Sequence, residues 1–75
     1  MLELRESFKP DSSAIDEIGV TESGQVVITF AGTRPYLYPF LDTEDYAFLK
    51  AVHEDGDSVG KAWNKDYRGS EAQAL

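Results

Sequence analysis

The spacing of apolar residues changes near residue 41, and this change constrains the fold more than any other feature of the chain. Alternate positions in 26–30 and in 36–40 carry large apolar residues, as expected for strands with a buried face. Further on, Tyr46, Leu49 and Val52 recur at three-residue spacing, which indicates a helix. Strands followed by helices predict a fold of the α+β class.

Three short strands are expected before the helices. Ile15, Ile18 and Val20 indicate a first strand, and the acidic pair 16–17 interrupts it in the manner of a β-bulge. A turn in which Gly24 is free to take a positive φ separates this strand from the next. We expect the strands to form a three-stranded antiparallel β-meander.

Two short helices are expected to follow. Asp42 is placed to cap the first, with Asp45 three residues later, and Gly56 is placed to end it. Ser58 is placed to cap a second, shorter helix that carries Trp63 on its apolar side. Both helices are expected to pack on one sheet face, because the apolar residues of the strands must be covered.

The chain has 75 residues and no cysteine, so it makes one small domain without disulfides or thiolate metal sites. Good packing or self-association must reinforce so small a core. Pro10 and the polar residues around it predict a flexible arm over 1–12, followed by the fold over 13–69 and a frayed tail over 70–75. The arm carries charges and no apolar run, which is unlike a signal peptide or a membrane span, so we expect a cytoplasmic protein.

The charge of the chain is unevenly distributed. Its net charge of −7 disfavours a general DNA- or RNA-binding protein, because an acidic surface repels polyphosphate. Residues 1–58 hold twelve acidic and four basic residues, whereas 59–69 hold three basic residues and one acidic residue. This local positive patch suits a small anion or an acidic protein patch better than a long duplex.

Five short segments extend over 13–68 and read S-x-I-x-x-I-G, V-x-I-x-F, G-x-x-x-Y-x-Y, Y-x-x-L and S-x-G-x-x-W-N-x-x-Y-R. In this order they resemble the KTSC domain, a small family named for its appearance at the C-terminus of some lysyl-tRNA synthetases. The chain departs from the family pattern at Val20, at 41–42 and at Trp63, where the family usually has Tyr, Val-Pro and Phe. The resemblance implies a stand-alone or appended module of bacteria and phages with no established enzymatic activity, and its synthetase association suggests a nucleic-acid or translation-linked role.

No arrangement of residues predicts catalysis. His53 is the sole histidine, and it lies where the first helix is expected to end, a position at which a cation interacts well with the helix dipole. The chain has no nucleophile motif and no glycine-rich phosphate loop. The acidic loop 54–58 lacks the spacing of an EF-hand, so a solvated loop is favoured over a weak calcium or magnesium site. We therefore expect no enzymatic activity, no metal site and no cofactor.

The basic and aromatic residues of the C-terminal half form the candidate ligand-binding set. Exposed rings stack on bases, and cations meet phosphate or carboxylate groups. The set consists of Tyr36, Tyr38, Lys61, Trp63, Asn64, Lys65, Tyr67 and Arg68. The alternative interpretation makes Trp63 and a tyrosine core residues, Asn64 a turn or capping residue, and Arg68 a partner of Asp66 or Asp45.

We expect a small binding module whose partner is RNA, a nucleotide or an acidic protein surface. A competing hypothesis is an acidic phage-type inhibitor that mimics nucleic acid toward a basic host protein, since the net charge is −7. A third is an oligomeric protein that sequesters nucleotides. A homo-oligomer is left open as well, and no membrane partner is expected.

Overall fold

The structure, a computed structural model, describes residues 3–75 and places two helices on one face of an antiparallel sheet. Residues 1 and 2 of the expected N-terminal arm lie outside the described residues. The strands lie in chain order across the sheet. The elements are β1 (Leu4–Phe8), β2 (Ile15–Thr21), β3 (Val26–Phe30), β4 (Pro35–Tyr38), α1 (Thr43–Glu54), α2 (Val59–Asp66) and β5 (Gln73–Ala74). The fold is therefore of the α+β class, as the sequence predicts.

The three predicted strands are β2, β3 and β4, which form the expected meander. β2 pairs with β3 so that Ile18 lies opposite Ile28. The register of this pair shifts between Ile15 and Glu17, so the predicted bulge at the acidic pair is confirmed. Gly24 in the β2–β3 turn has a φ of 86°, which glycine adopts at little cost, and this prediction is confirmed too.

Two further strands extend the sheet beyond the three that the sequence predicts. β1 pairs with β2, with Phe8 opposite Ile18, so this segment is an edge strand and not part of a flexible arm. β5 pairs Ala74 with Tyr36, so the expected frayed tail also contributes two residues to the sheet. Most side chains of these two edge strands are exposed, so the strands need no alternation of apolar residues. The sequence pattern therefore does not predict them.

Both helices begin and end close to where the sequence predicts. Asp42 caps α1, since its Oδ1 accepts hydrogen bonds from the backbone N–H groups of Glu44 and Asp45 at 3.0 and 3.3 Å. The Asp45 carboxylate accepts one from the Asp42 N–H at 3.0 Å, which completes a capping box. Ser58 caps α2. Gly56, with a φ of 79°, turns the chain after α1.

The core lies between the two helices and the sheet face that they cover. Tyr46 places α1 near β1, because its ring lies 5.7 Å from that of Phe8. Trp63 places α2 over β3 and β4, because it contacts Phe30 and Tyr38. The buried cluster consists of Ile15, Ile18, Val20, Val26, Ile28, Tyr38, Leu41, Tyr46, Leu49, Val59 and Trp63. The helices therefore lie side by side, each over its own part of the sheet.

A polar contact ties the edge strand β1 to α1. Glu6 Oε2 accepts hydrogen bonds from the Lys50 ammonium at 2.8 Å and from the Tyr46 hydroxyl at 3.0 Å. These two bonds, led by the one from Lys50, lower the pKa of Glu6 from its ordinary value. Burial and the hydrogen bond to Glu6 raise the pKa of Tyr46. A charged residue thus helps to dock a strand that has few apolar contacts of its own.

We expect Glu6 to make this docking sensitive to acid. The pKa of Glu6 is lower in the folded protein than in the unfolded chain. The contact therefore stabilises the fold at pH values above the pKa of Glu6 in the unfolded chain, and this contribution is lost as the pH falls through its pKa in the folded protein. Glu6→Gln should therefore lower the midpoint of urea denaturation at neutral pH and approach the wild type in acid. Glu3→Gln is the control, since Glu3 forms no ion pair within residues 3–75. A deficit of equal size at both pH values would contradict this role.

Candidate functional site

The cationic residues of α2 lie opposite its buried side. Helical spacing turns Val59 and Trp63 toward the core, where they are 2% and 6% exposed. Lys61 and Lys65 lie one turn apart on the other side, and Arg68 follows just beyond the end of the helix. All three basic side chains are exposed. We call these three residues the α2 cationic face.

No acidic side chain among residues 3–75 forms an ion pair with the α2 cationic face. The one ion pair in that part of the chain joins Lys50 to Glu6 at 2.8 Å, beside β1. Arg68 therefore pairs with neither Asp66 nor Asp45, the two partners that the sequence leaves open. The three cations remain available to an external anion.

Two of the aromatic residues in the predicted set belong to the core. Tyr38 and Trp63 are each 6% exposed, and their rings meet edge to face with centroids 4.9 Å apart. Phe30 adds a second edge contact to Trp63 at 6.0 Å. Burial raises the pKa of Tyr38. Trp63 thus anchors α2 to the sheet, and little of either ring is left for contact with a ligand.

The other predicted site residues, Tyr36, Asn64 and Tyr67, differ in exposure. Tyr36 on β4 is half-buried, and its ring tilts against Phe30 with centroids 6.4 Å apart. Asn64 is exposed on α2. Tyr67 is half-buried and stacks on Trp63 at 5.5 Å. Asn64 and Tyr67 thus lie next to residues of the α2 cationic face along the chain, while Tyr36 belongs to the sheet.

Tyr67 links the end of α2 to the beginning of α1. Its hydroxyl donates a hydrogen bond to Asp45 Oδ1 at 2.9 Å, while Oδ2 of the same carboxylate serves the capping box. Burial first, and then the hydrogen bond and charge of Asp45, raise the pKa of Tyr67 to about 12. The hydroxyl is therefore neutral at physiological pH, and its hydrogen bond is already made. This contact joins the end of α2 to the beginning of α1, and the short segment 55–58 joins the end of α1 to the beginning of α2, so the two helices run antiparallel.

Phe48 is an exposed aromatic residue outside the set predicted from the sequence. It lies on the outer side of α1, is 43% exposed, and its ring is 6.2 Å from that of Tyr67. A signal exists in the helical spacing, since Tyr46 and Leu49 define the buried side and Phe48 lies away from it. The residue marks the outer edge of the contact between α1 and α2.

The face of the sheet without helices holds a shallow cleft of about 130 Å³. Leu4, Gly19, Val27 and Leu75 are among the residues that line it, and no member of the predicted set does so. A Cβ on Gly19 would lie 2.7 Å from the Leu4 side chain, so glycine permits Leu4 to rest on the sheet. The cleft is therefore a separate, mainly apolar feature.

His53 packs against the edge strand β1. The imidazole of His53 stacks on the Phe8 ring with centroids 5.1 Å apart. No group of three or more His, Cys, Asp or Glu side chains in this range is arranged to hold a metal ion. His53 is thus a packing residue between α1 and β1.

Comparison of the chain with protein-family models, with curated proteins and with solved structures finds no match. None of the helices formed by residues 3–75 is long and apolar enough to cross a membrane.

Proposed function

We propose that this protein is a small non-catalytic binding module whose α2 cationic face binds an anionic partner. One observation carries the proposal: Lys61, Lys65 and Arg68 are all exposed and form no ion pair within residues 3–75, although the chain has twice as many acidic as basic residues. A carboxylate or phosphate that meets these cations gains charge-assisted hydrogen bonds.

An acidic protein surface suits this face better than RNA or a nucleotide does. Base recognition relies on exposed rings, and those of Trp63 and Tyr38 are buried. The acidic remainder of the chain also repels extended polyphosphates at long range. Ion pairs with carboxylates need only the cations themselves. The burial of the rings therefore weakens the binding of an acidic protein segment less than the binding of RNA or a nucleotide. RNA and nucleotide binding are alternative outcomes of the same test.

Kinship with the KTSC domain is part of the proposal. The segment that reads S-x-G-x-x-W-N-x-x-Y-R coincides with the Ser58 cap, all of α2 and the Tyr67 contact to Asp45. In this assignment the segment closes the fold, with Trp63 on the inside and the cations outside. A cytoplasmic protein of bacterial or phage origin without enzymatic activity is what the assignment implies.

A thermal-shift screen at low salt tests the proposal. We expect an oligo-glutamate peptide at about ten times its Kd to stabilise the fold by about 1.4 kcal/mol, which corresponds to several degrees in a domain of this size. Arg68→Glu should remove the shift. Arg5→Glu, on the edge strand β1, is the matched control and should retain it.

Other probes in the same screen separate the alternatives. A shift with oligouridylate or ATP, and none with oligo-glutamate, would make nucleic acid or a nucleotide the partner. A shift that survives Arg68→Glu would place the binding site away from the α2 cationic face. The competing hypothesis of nucleic-acid mimicry predicts binding of a basic protein that is insensitive to this substitution.

A further inference from the structure

We infer that the acidic surface met by the α2 cationic face belongs to a second copy of this chain, in a two-fold symmetric dimer formed by the helices. The inference rests on the proposed function, because it names the partner of the same three cations. Three features carry it: the outer side of α1, the relative heights of the two helices, and the symmetry that matches one helix to the other.

The outer side of α1 is apolar in its middle and acidic at both ends. Phe48 is 43% exposed near the middle of the helix, and Ala47 and Ala51 are exposed beside it. Glu44 in the first turn and Glu54 in the last turn are exposed as well. The outer side of α2 carries the opposite charge. The two helices thus present complementary charges to the same side of the molecule.

The antiparallel arrangement fixes which residues of the two helices lie at the same height. The hydrogen bond of 2.9 Å between Tyr67 and Asp45 sets the level at which the helices meet. Both helices rise about 1.5 Å per residue, so each step back from Tyr67 along α2 matches a step forward from Asp45 along α1. By this count, the residues at about equal height are Glu44 with Arg68, Ala47 with Lys65, Phe48 with Asn64, and Ala51 with Lys61.

A two-fold axis that runs parallel to the helices, above the groove between them, brings α1 residues of one copy into contact with the α2 residues of the other copy that lie at the same height. The rotation keeps the height and exchanges the two sides, so α1 of the second copy lies over α2 of the first. Glu44 of each copy then meets Arg68 of the other. The aliphatic stems of Lys61 and Lys65 cross the small alanines of α1, which leaves the Lys61 ammonium free to reach Glu54. The contacts are reciprocal, so the interface closes at two copies.

Charge disfavours a two-fold axis that runs across the helices, which would also bring the two helical layers together. An axis across the helices would stack α1 on α1, with Glu44 of one copy near Glu54 of the other, and would set the cations of α2 against one another. The axis parallel to the helices avoids both repulsions. It also runs close to Phe48, whose ring lies 6.2 Å from that of Tyr67 at the contact between the helices. The exposed rings of the two copies are thereby buried against each other.

The size of the molecule predicts a weak dimer. The principal extents of the fold are 31 × 24 × 21 Å, so two short helices on one side of it bury only a small interface. Most of the attraction comes from ion pairs at the surface, which salt screens. We expect association that requires high protein concentration and falls as salt is added.

Light scattering over a concentration series at low salt tests the dimer. The mass should rise with concentration from the 8.3 kDa of one chain toward twice that value. Glu44→Arg and Arg68→Glu should each weaken association about tenfold, because each sets like charges opposite one another. The two changes combined in one chain restore opposite charges and should return the dissociation constant to within about threefold of the wild type.

A second pair of variants tests the apolar contact. Phe48→Ser should weaken association, whereas Phe40→Ser should not, although Phe40 is the more exposed ring at 76% and lies outside both helices. A mass that stays at 8.3 kDa throughout would overturn the dimer, as would a double charge variant no better than the single ones. A monomer that still binds oligo-glutamate would leave the proposed function standing. If the double variant forms the dimer again but does not regain oligo-glutamate binding, the result would support both the dimer and the proposed function.

Discussion

Replacing Trp63 with alanine is expected to lower the free energy of unfolding by about 3–5 kcal/mol, the usual loss when a large buried ring is truncated. Trp63 is 6% exposed, and its ring contacts those of Phe30, Tyr38 and Tyr67 with centroids 6.0, 4.9 and 5.5 Å apart. These rings belong to different elements, so they cannot easily collapse into the space. A loss of this size is a large part of the stability of so small a domain.

Urea denaturation followed by circular dichroism measures this loss. Phe40→Ala is the matched control, because Phe40 is 76% exposed and its truncation should change stability by less than about 0.5 kcal/mol. If the Trp63→Ala protein proved as stable as the wild type, Trp63 would not anchor α2, and the outward orientation of the α2 cationic face would lose its basis.

Replacing Leu49 with alanine is expected to cost about 2–5 kcal/mol. Leu49 is fully buried at 0% exposure on the inner side of α1, within the cluster that includes Ile18 and Ile28. Phe48 is the adjacent residue, yet it is 43% exposed, so Phe48→Ala should cost far less. Denaturation at low protein concentration compares the two variants without a contribution from association.

The comparison of Leu49 with Phe48 tests the rotation of α1 about its own axis. Equal losses in the two variants would mean that the helix presents a different side to the sheet. The ring of Phe48 could then not take part in the proposed dimer interface, while the α2 cationic face would be unaffected.

The parts of the fold that follow from local chemistry are predictable from the sequence. Asp42 and Asp45 form a capping box because, at this spacing, each side chain reaches the backbone N–H of the other residue. Gly24 and Gly56 take a positive φ at turns where a side chain would be strained. The bulge in β2 follows from two acidic residues in an apolar strand.

The parts that depend on distant residues are not predictable from local patterns. β1 is a strand because its backbone pairs with β2, and it is held against α1 because Glu6 meets Tyr46 forty residues later. No short segment reveals either partner. β5 consists of two residues paired through the backbone with β4, so its side chains carry no signal.

The candidate site shows the same division. The gathering of positive charge in 59–69 is visible in the sequence. Whether a given cation is paired depends on the tertiary structure, since Lys50 reaches Glu6 whereas Arg68 reaches no acidic residue within 3–75. The alternative in which Trp63 belongs to the core likewise depends on the rotation of α2 against the sheet, which spacing alone does not fix.

The most direct test of the α2 cationic face is a nuclear magnetic resonance titration of the ¹⁵N-labelled protein with oligo-glutamate at two salt concentrations. The variant that combines Lys61→Glu, Lys65→Glu and Arg68→Glu serves as the comparison. We predict shift changes centred on 59–69, affinity that falls as salt rises, and a loss of at least about tenfold in the variant. Shift changes centred on the helix-free side of the sheet, or equal affinity in the variant, would contradict the account.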